Sequence, residues 1–254
     1  MSDLRFDGRV AVITGASGGI GLAAAQAMAA HGATVLIADV QDELGAKSAA
    51  ALRRDGATAQ YVHVDVTSED DVAMMVEAAL SVFGRLDCAF NNAGIEGTQA
   101  PFADQTPDDW QRVLDVNLGG VWRCMRAEIP VMLEAGGGSI VNCASVAGLV
   151  GFAGIAPYVA SKHGIVGITK TAALDYATVG IRVNAVCPGV IRTQMLERFT
   201  HGDPAAEAAM VAIEPVGRMG TPGEVGTAVA WLCSDEASFV TGVAIPVDGG
   251  FVAQ

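Results

Sequence analysis

The chain is short of positive charge: 15 Lys and Arg stand against 28 Asp and Glu, a formal net charge of −13. Binding a nucleic acid requires clustered Lys and Arg to displace counterions, and no such stripe is present, so a DNA or RNA partner is excluded. The same acidity excludes adsorption to an anionic membrane surface. Cysteine and histidine are sparse and scattered. Cys88, Cys124, Cys143, Cys187 and Cys233 lie in apolar runs without CxxC spacing, and His31, His63, His163 and His201 form no metal-ligand pattern. An odd cysteine count in a chain of this size reads as buried free thiols in a reducing cytoplasm, with no metal site. Residues 1–8, MSDLRFDG, lack the basic-then-apolar order of a signal peptide. The window Ile140–Ala156 is almost uncharged, but Asn142, Ser145 and its glycines mark a buried strand and loop rather than a membrane span.

What the chain has is apolar residue, 51% of the total, mostly Ala, Val, Leu and Ile. That is enough surface to offset the entropy of ordering, so disorder is excluded. Strand-length apolar runs alternate with helix-length segments. Strands are expected at Arg9–Thr14, Ala33–Asp39, a run ending near Asp65, Leu86–Phe90, Ser139–Ala144, Ile181–Cys187 and Val243–Val247. Helices are expected at Gly19–His31, Asp42–Asp55, Ser68–Phe83 (Ser68 as N-cap), Pro107–Glu134, Pro157–Thr178 and Pro222–Ser234. Continuous apolar strands alternating with helices predict an α/β fold, a doubly wound, Rossmann-type parallel sheet of about seven strands with helices on both faces. No linker or repeat interrupts this order, so residues 1–254 read as one domain. Thr193–Pro215 is the least regular stretch and the expected mobile lid.

Between the first strand and first helix stands Thr14-Gly15-Ala16-Ser17-Gly18-Gly19-Ile20-Gly21. Glycines there let the backbone approach a pyrophosphate at a helix N-terminus. Asp39 ends the second strand, where a carboxylate accepts hydrogen bonds from ribose hydroxyls and repels a 2′-phosphate; Ser17, Gly18 and Val40 supply no basic group. NAD is therefore the expected cofactor. Tyr158 and Lys162, four apart at the start of a helix, share a face. A phenol is too weak an acid to work unaided at neutral pH, and a neighbouring ammonium favours its ionised form. Ser145, just past the fifth strand, can reach the same pocket.

Taken in order, Thr14–Gly21, Asn91-Asn92-Ala93-Gly94, Asn117, Ser145, Tyr158-x-x-x-Lys162, Pro188-Gly189 and the Val247-Asp248-Gly249-Gly250 tail resemble the short-chain dehydrogenase/reductase family over essentially the whole chain. The resemblance implies an oxidoreductase that interconverts a secondary alcohol and a ketone. Tyr158 would be the general acid/base, Ser145 would polarise the substrate oxygen, and Lys162 would assist Tyr158 and bind the nicotinamide ribose. Asn117 would hold a water linking Lys162 to solvent. Gly15, Ser17, Gly18, Ile20, Gly21, Asp39, Asp65, Val66, Asn91, Ala93, Gly94, Pro188, Gly189, Ile191 and Thr193 would bind the cofactor with Tyr158 and Lys162. The substrate loops Ile95, Glu96, Val146, Ala147, Gly148, Phe152, Val190, Met195, Leu196, Phe199 and Met210 are mostly apolar, which suits a neutral small-molecule alcohol or ketone; Glu96 could instead take a polar group. The family also implies a homotetramer built through the helices at Pro107–Glu134 and Pro157–Thr178. Two alternatives stay open at this point: an NADPH-dependent 3-oxoacyl carrier-protein reductase, and a catalytically silent dinucleotide sensor.

Overall fold

A computed structural model describes residues 4–254. Seven strands form one sheet: β1 (Val10–Thr14), β2 (Thr34–Asp39), β3 (Ala59–His63), β4 (Cys88–Asn91), β5 (Gly138–Cys143), β6 (Ile181–Pro188) and β7 (Ala244–Val247). Their spatial order is β3-β2-β1-β4-β5-β6-β7, and all pairings are parallel. The central strands are buried on both faces, which is why they read as mostly apolar runs rather than as alternation.

Helices α1 (Gly19–Ala29), α2 (Asp42–Arg54) and α9 (Pro222–Cys233) cover one face; Ala24, Met28, Leu52, Val225 and Val229 pack there on Ile13, Val35 and Ile37. On the other face, α3 (Glu69–Phe83), α5 (Gly120–Glu134) and α6 (Ala156–Tyr176) bring Met75, Met132 and Ile165 against Val12, Ile140 and Val183. Ser68 caps α3 as expected, its hydroxyl accepting from Asp71 N at 3.1 Å. No helix among the described residues is long and apolar enough to cross a membrane, and no group of three His, Cys, Asp or Glu there could hold a metal ion.

Two expectations are revised. The helix predicted over Pro107–Glu134 is α4 (Pro107–Leu114) and α5 joined by a π turn at Asp115–Gly119. Side-chain periodicity reports that a helix continues, not which carbonyl each N–H reaches, so the turn is invisible in sequence. The stretch Thr193–Pro215 is not irregular: it contains α7 (Gln194–Thr200), capped by Thr193, and α8 (Pro204–Ala212), capped by Asp203. Each is about two turns long, too short for a periodic pattern to declare itself.

Candidate active site

The chain runs β1–β2–β3 outward in one direction and then returns to place β4 on the other side of β1, so the crevice opens where the C-terminal ends of β1 and β4 diverge. Gly15 follows β1 in a left-handed conformation (φ +63°), and a Cβ on it would stand 2.8 Å from Ala93 Cα. Only glycine lets the two loops meet this closely. Thr14 Oγ1 accepts from the backbone N–H groups of Asn92 (3.0 Å) and Ala93 (3.1 Å), while Asn92 Nδ2 donates to Thr14 O (3.0 Å) and Gly15 O (2.9 Å). Helix α1 then begins at Gly19 after Gly18, with no side chain capping it, whereas α3, α4 and α9 are capped by Ser68, Thr106 and Thr221. The free N–H groups of α1 give onto a cleft of about 720 Å³ lined by Gly15, Ser17, Gly18 and Ile20. An uncapped helix end beside bare glycines is a seat for a phosphate. Gly21 lies behind, packed against the carbonyl of Gly15, and serves the close approach of α1 to β1.

Asp39 is buried at the end of β2 on the wall of the same cleft. Its carboxylate accepts from Ser17 N and Gln41 N, both at 3.0 Å, one on each oxygen. Each oxygen keeps a lone pair for a donor in the cleft. Asp65 and Val66 line the cleft floor; Asp65 Oδ1 accepts from the N–H and hydroxyl of Thr67 and so holds the loop in place. Ala93 and Gly94 complete that wall. The Asn91 side chain does not: it is buried on the opposite side of β4, where Nδ2 donates to Glu128 Oε2 (3.0 Å) and Asn142 Oδ1 (3.1 Å). Successive strand residues face opposite ways, so Asn92 reaches the phosphate turn and Asn91 cannot.

Pro157 in the first turn starts α6 and places Tyr158 and Lys162 one turn apart at its N-terminal end. Lys162 is buried; its Nζ lies 5.4 Å from the Tyr158 ring centroid and donates to Cys143 O at 2.7 Å. Ser145 Oγ accepts from Ala147 N at 3.1 Å, which leaves its own proton free to be donated. Asn117, fully buried in the π turn, clamps the loop after β4: Oδ1 accepts from Ile95 N (2.8 Å), and Nδ2 donates to Ile95 O (2.9 Å) and Ser161 Oγ (3.1 Å). Ser161 donates in turn to Tyr158 O at 2.7 Å, linking the π turn to α6.

Tyr158, Lys162 and Ser145 open on a second cavity of about 260 Å³. Val146, Ala147, Phe152, Val190, Met195, Leu196, Phe199 and Met210 line it as expected, joined by Pro188, Gly189, Ile191 and Thr193. Gly148 does not line it, since a Cβ there would stand 2.6 Å from Lys162 O; it is a packing glycine. Ile95 belongs to the larger cleft. Sequence reasoning missed Cys143, Ile155 and Ile213, and also Phe251, which stacks on Phe152 with centroids 5.5 Å apart. Burial pushes the Cys143 thiol up, with Lys162 opposing, and holds Cys187 at about 12, so neither is a thiolate at neutral pH.

Glu96 and Lys162 are the charged residues of this cavity's wall, and both are partnered. Glu96, also on the larger cleft, binds Arg198 of α7 through Nε–Oε1 at 2.8 Å and Nη2–Oε2 at 3.3 Å, and the guanidinium's own ionisation is pushed up by that carboxylate. The pair spans the mouth between the loop after β4 and α7. No sequence signal announces it, because the partners are 102 positions apart.

A glycine turn with an uncapped helix end and a buried carboxylate line the cleft at the switch point, contiguous with a cavity holding Ser145, Tyr158 and Lys162, an arrangement that fits a dinucleotide-dependent oxidoreductase. The chain matches over residues 15–252 the protein-family model described as enoyl-(acyl carrier protein) reductase. It is 44% identical to a cyclohexanol dehydrogenase of Acinetobacter sp. (strain SE19) over 98% of this chain and 97% of that one. Among solved structures it resembles levodione reductase (TM-score 0.95, 39% identity, 98% of this chain and 99% of that one) and NAD+-bound xylitol dehydrogenase (TM-score 0.93, 38% identity, 96% and 99%). The chain belongs to the short-chain dehydrogenase/reductase family.

Proposed function

We propose that the protein is an NAD-dependent dehydrogenase of compact, neutral secondary alcohols, alicyclic ones foremost, with Tyr158 as its acid–base catalyst. The observation that carries the reading is one cavity that brings Ser145, Tyr158 and Lys162 together inside mostly apolar walls. Its volume, about 260 Å³, suits a single ring, and the name of the cyclohexanol dehydrogenase relative agrees.

Ser17, Gly18 and Ile20 would hold the pyrophosphate side of NAD, Asp39 the adenosine ribose, Asp65 and Val66 the adenine, and Ile191 and Thr193 the nicotinamide end. Bound there, NAD supplies the acceptor for the carbinol hydride. Ser145 donates a hydrogen bond to the substrate oxygen; Tyr158 takes the carbinol proton as the phenolate in oxidation and returns it as the phenol in reduction. The Lys162 ammonium, held by Cys143 O, stabilises negative charge on the phenol oxygen as the proton leaves. Proton exchange with solvent would pass beside Gly94, where a Cβ would stand 3.2 Å from Asn117 Oδ1 and 3.6 Å from Lys162 Nζ. Any side chain would narrow that passage. The assembly we infer is a homotetramer through the α4–α5 rod and α6, supported by the exposure of Trp110 and Trp122 on the rod and Leu174 on α6.

The test is a panel of cyclic, linear and polyhydroxylated alcohols, with an acyl-thioester ketone, assayed with NAD(H) and NADP(H). Turnover of cyclic alcohols with NAD supports the assignment. Turnover confined to the thioester with NADPH would make the protein a carrier-protein reductase, and none at all with dinucleotide bound would make it a sensor.

We also infer that α7 and α8 form a lid latched by Glu96–Arg198. An exposed ion pair is worth at most about 1 kcal/mol, so Arg198→Gln is expected to change the KM for NAD by no more than about fivefold. Added salt should move the wild-type KM in the same direction, and by more than it moves the variant's. A KM equally salt-sensitive in both proteins removes the latch.

A further inference from the structure

Glu128 lies on α5 and is fully buried, yet none of the ion pairs among the described residues includes it. Its hydrogen-bond partner is an uncharged amide, which leads on to a second amide and a hydroxyl. Asn91 of β4 donates to its Oε2 at 3.0 Å and to Asn142 Oδ1 of β5 at 3.1 Å, and Asn142 Nδ2 donates to Thr169 Oγ1 of α6 at 2.9 Å. On its own helix the Cys124 thiol is close enough to sense it: burial pushes that thiol up, an ionised Glu128 would push it further, and Arg123 opposes. Two buried oxygens in this cluster have no hydrogen-bond partner: Glu128 Oε1 and Asn91 Oδ1.

Those two orphans are complementary. A carboxylic acid and a primary amide form a ring of two hydrogen bonds, amide N–H to acid carbonyl and acid O–H to amide carbonyl. The first bond is present, and the unpaired atoms are the two ends of the second. As a carboxylate, Glu128 leaves a buried charge with one donor and two orphaned acceptors; as an acid, it satisfies both orphans with a single proton.

We propose that Glu128 keeps a proton in the folded enzyme up to neutral pH, donating it to Asn91 Oδ1, and that this closed acid–amide pair is a positioning device beneath the active site. Asn91 directly precedes Asn92, which grips the turn of Thr14 and Gly15, and Asn142 directly precedes Cys143, whose carbonyl holds Lys162. The pair thus fixes the ends of β4 and β5 from behind. Burial agrees, raising the Glu128 carboxyl to about 7 against the pull of the Asn91 hydrogen bond. The protonation stands alone; the positioning role rests on the dehydrogenase reading above.

The sign of the pH effect follows from the raised value. The folded protein holds the proton more tightly than the unfolded chain, so stability falls as pH rises from the ordinary glutamate range to about 7, and the loss is complete above that. Glu128→Gln keeps the ring, with an amide N–H in place of the acid O–H, and cannot ionise. Wild type and variant should melt together at pH 5, and the variant should melt about 5 °C higher at pH 8.5. In the wild type itself, an infrared carbonyl band of a protonated acid should be present at pH 6 and absent from Glu128→Gln. Glu128→Leu, which orphans Asn91, should raise the KM for NAD about tenfold with kcat nearly unchanged, while Glu128→Gln keeps the wild-type value. A melting difference independent of pH, or no acid band at pH 6, overturns the protonation. Equal KM in the Leu variant overturns the positioning role. An inactive wild type would instead strike at the dehydrogenase reading and leave the melting and infrared results standing.

Discussion

Replacing Tyr158 by phenylalanine is expected to lower kcat by about 10²–10⁴-fold, the range a positioned acid–base group supplies. The change removes one oxygen and leaves the ring, so Lys162 keeps its cation–ring contact and its bond to Cys143 O. Binding of NAD, followed by fluorescence or calorimetry, should therefore stay within about threefold of wild type. Loss of turnover with retained binding assigns the chemistry to the hydroxyl. Appreciable residual turnover would take Tyr158 out of the mechanism, and loss of both would mean that the substitution had damaged the cleft.

The second large effect concerns Asp39. Hydrogen bonds to a charged acceptor contribute about 1.5–3 kcal/mol, so Asp39→Ala should weaken NADH by about ten- to a hundredfold. NADPH should not suffer in the same way, because removing the carboxylate also removes its repulsion of a 2′-phosphate. The ratio of kcat/KM for NADH over NADPH is the measurement, and it should collapse toward unity. Asp39 also anchors Ser17 N and Gln41 N, so the alanine variant loosens the phosphate turn as well. The ratio, rather than either absolute value, isolates selectivity from that loosening. A wild type that uses NADPH as well as NADH would contradict the cofactor assignment at the outset.

Much of this architecture is legible in the amino-acid order. Parallel strands buried on two faces need largely apolar runs, and those expected at Arg9–Thr14 and Ile181–Cys187 are found as β1 and β6. The turn after β1 is legible because glycine at position 15 answers a steric demand that no other residue meets. What escapes is whatever depends on contacts between distant positions. Glu128 sits in a helix carrying Arg123, Arg126 and Glu134, where one more acid looks like solvated surface; only the packed structure shows it facing β4 and β5. Arg198 is equally mute until α7 is placed over the loop of Glu96. Asn91 illustrates the opposite error: it stands in a motif of cleft residues, but strand alternation turns its side chain inward.

The π turn at Asp115–Gly119 has a consequence of an evolutionary kind. Val113 and Val121, on either side of it, are both buried, so the helix stays packed on the interior through the wide turn. Such a turn behaves as a one-residue insertion whose surplus is absorbed on the spot. The scaffold on each flank is spared, and the inserted length is what aims Asn117 at the loop it clamps. Ancestral helices could therefore acquire this elbow, or forfeit it, without renegotiating the interior they were already built upon.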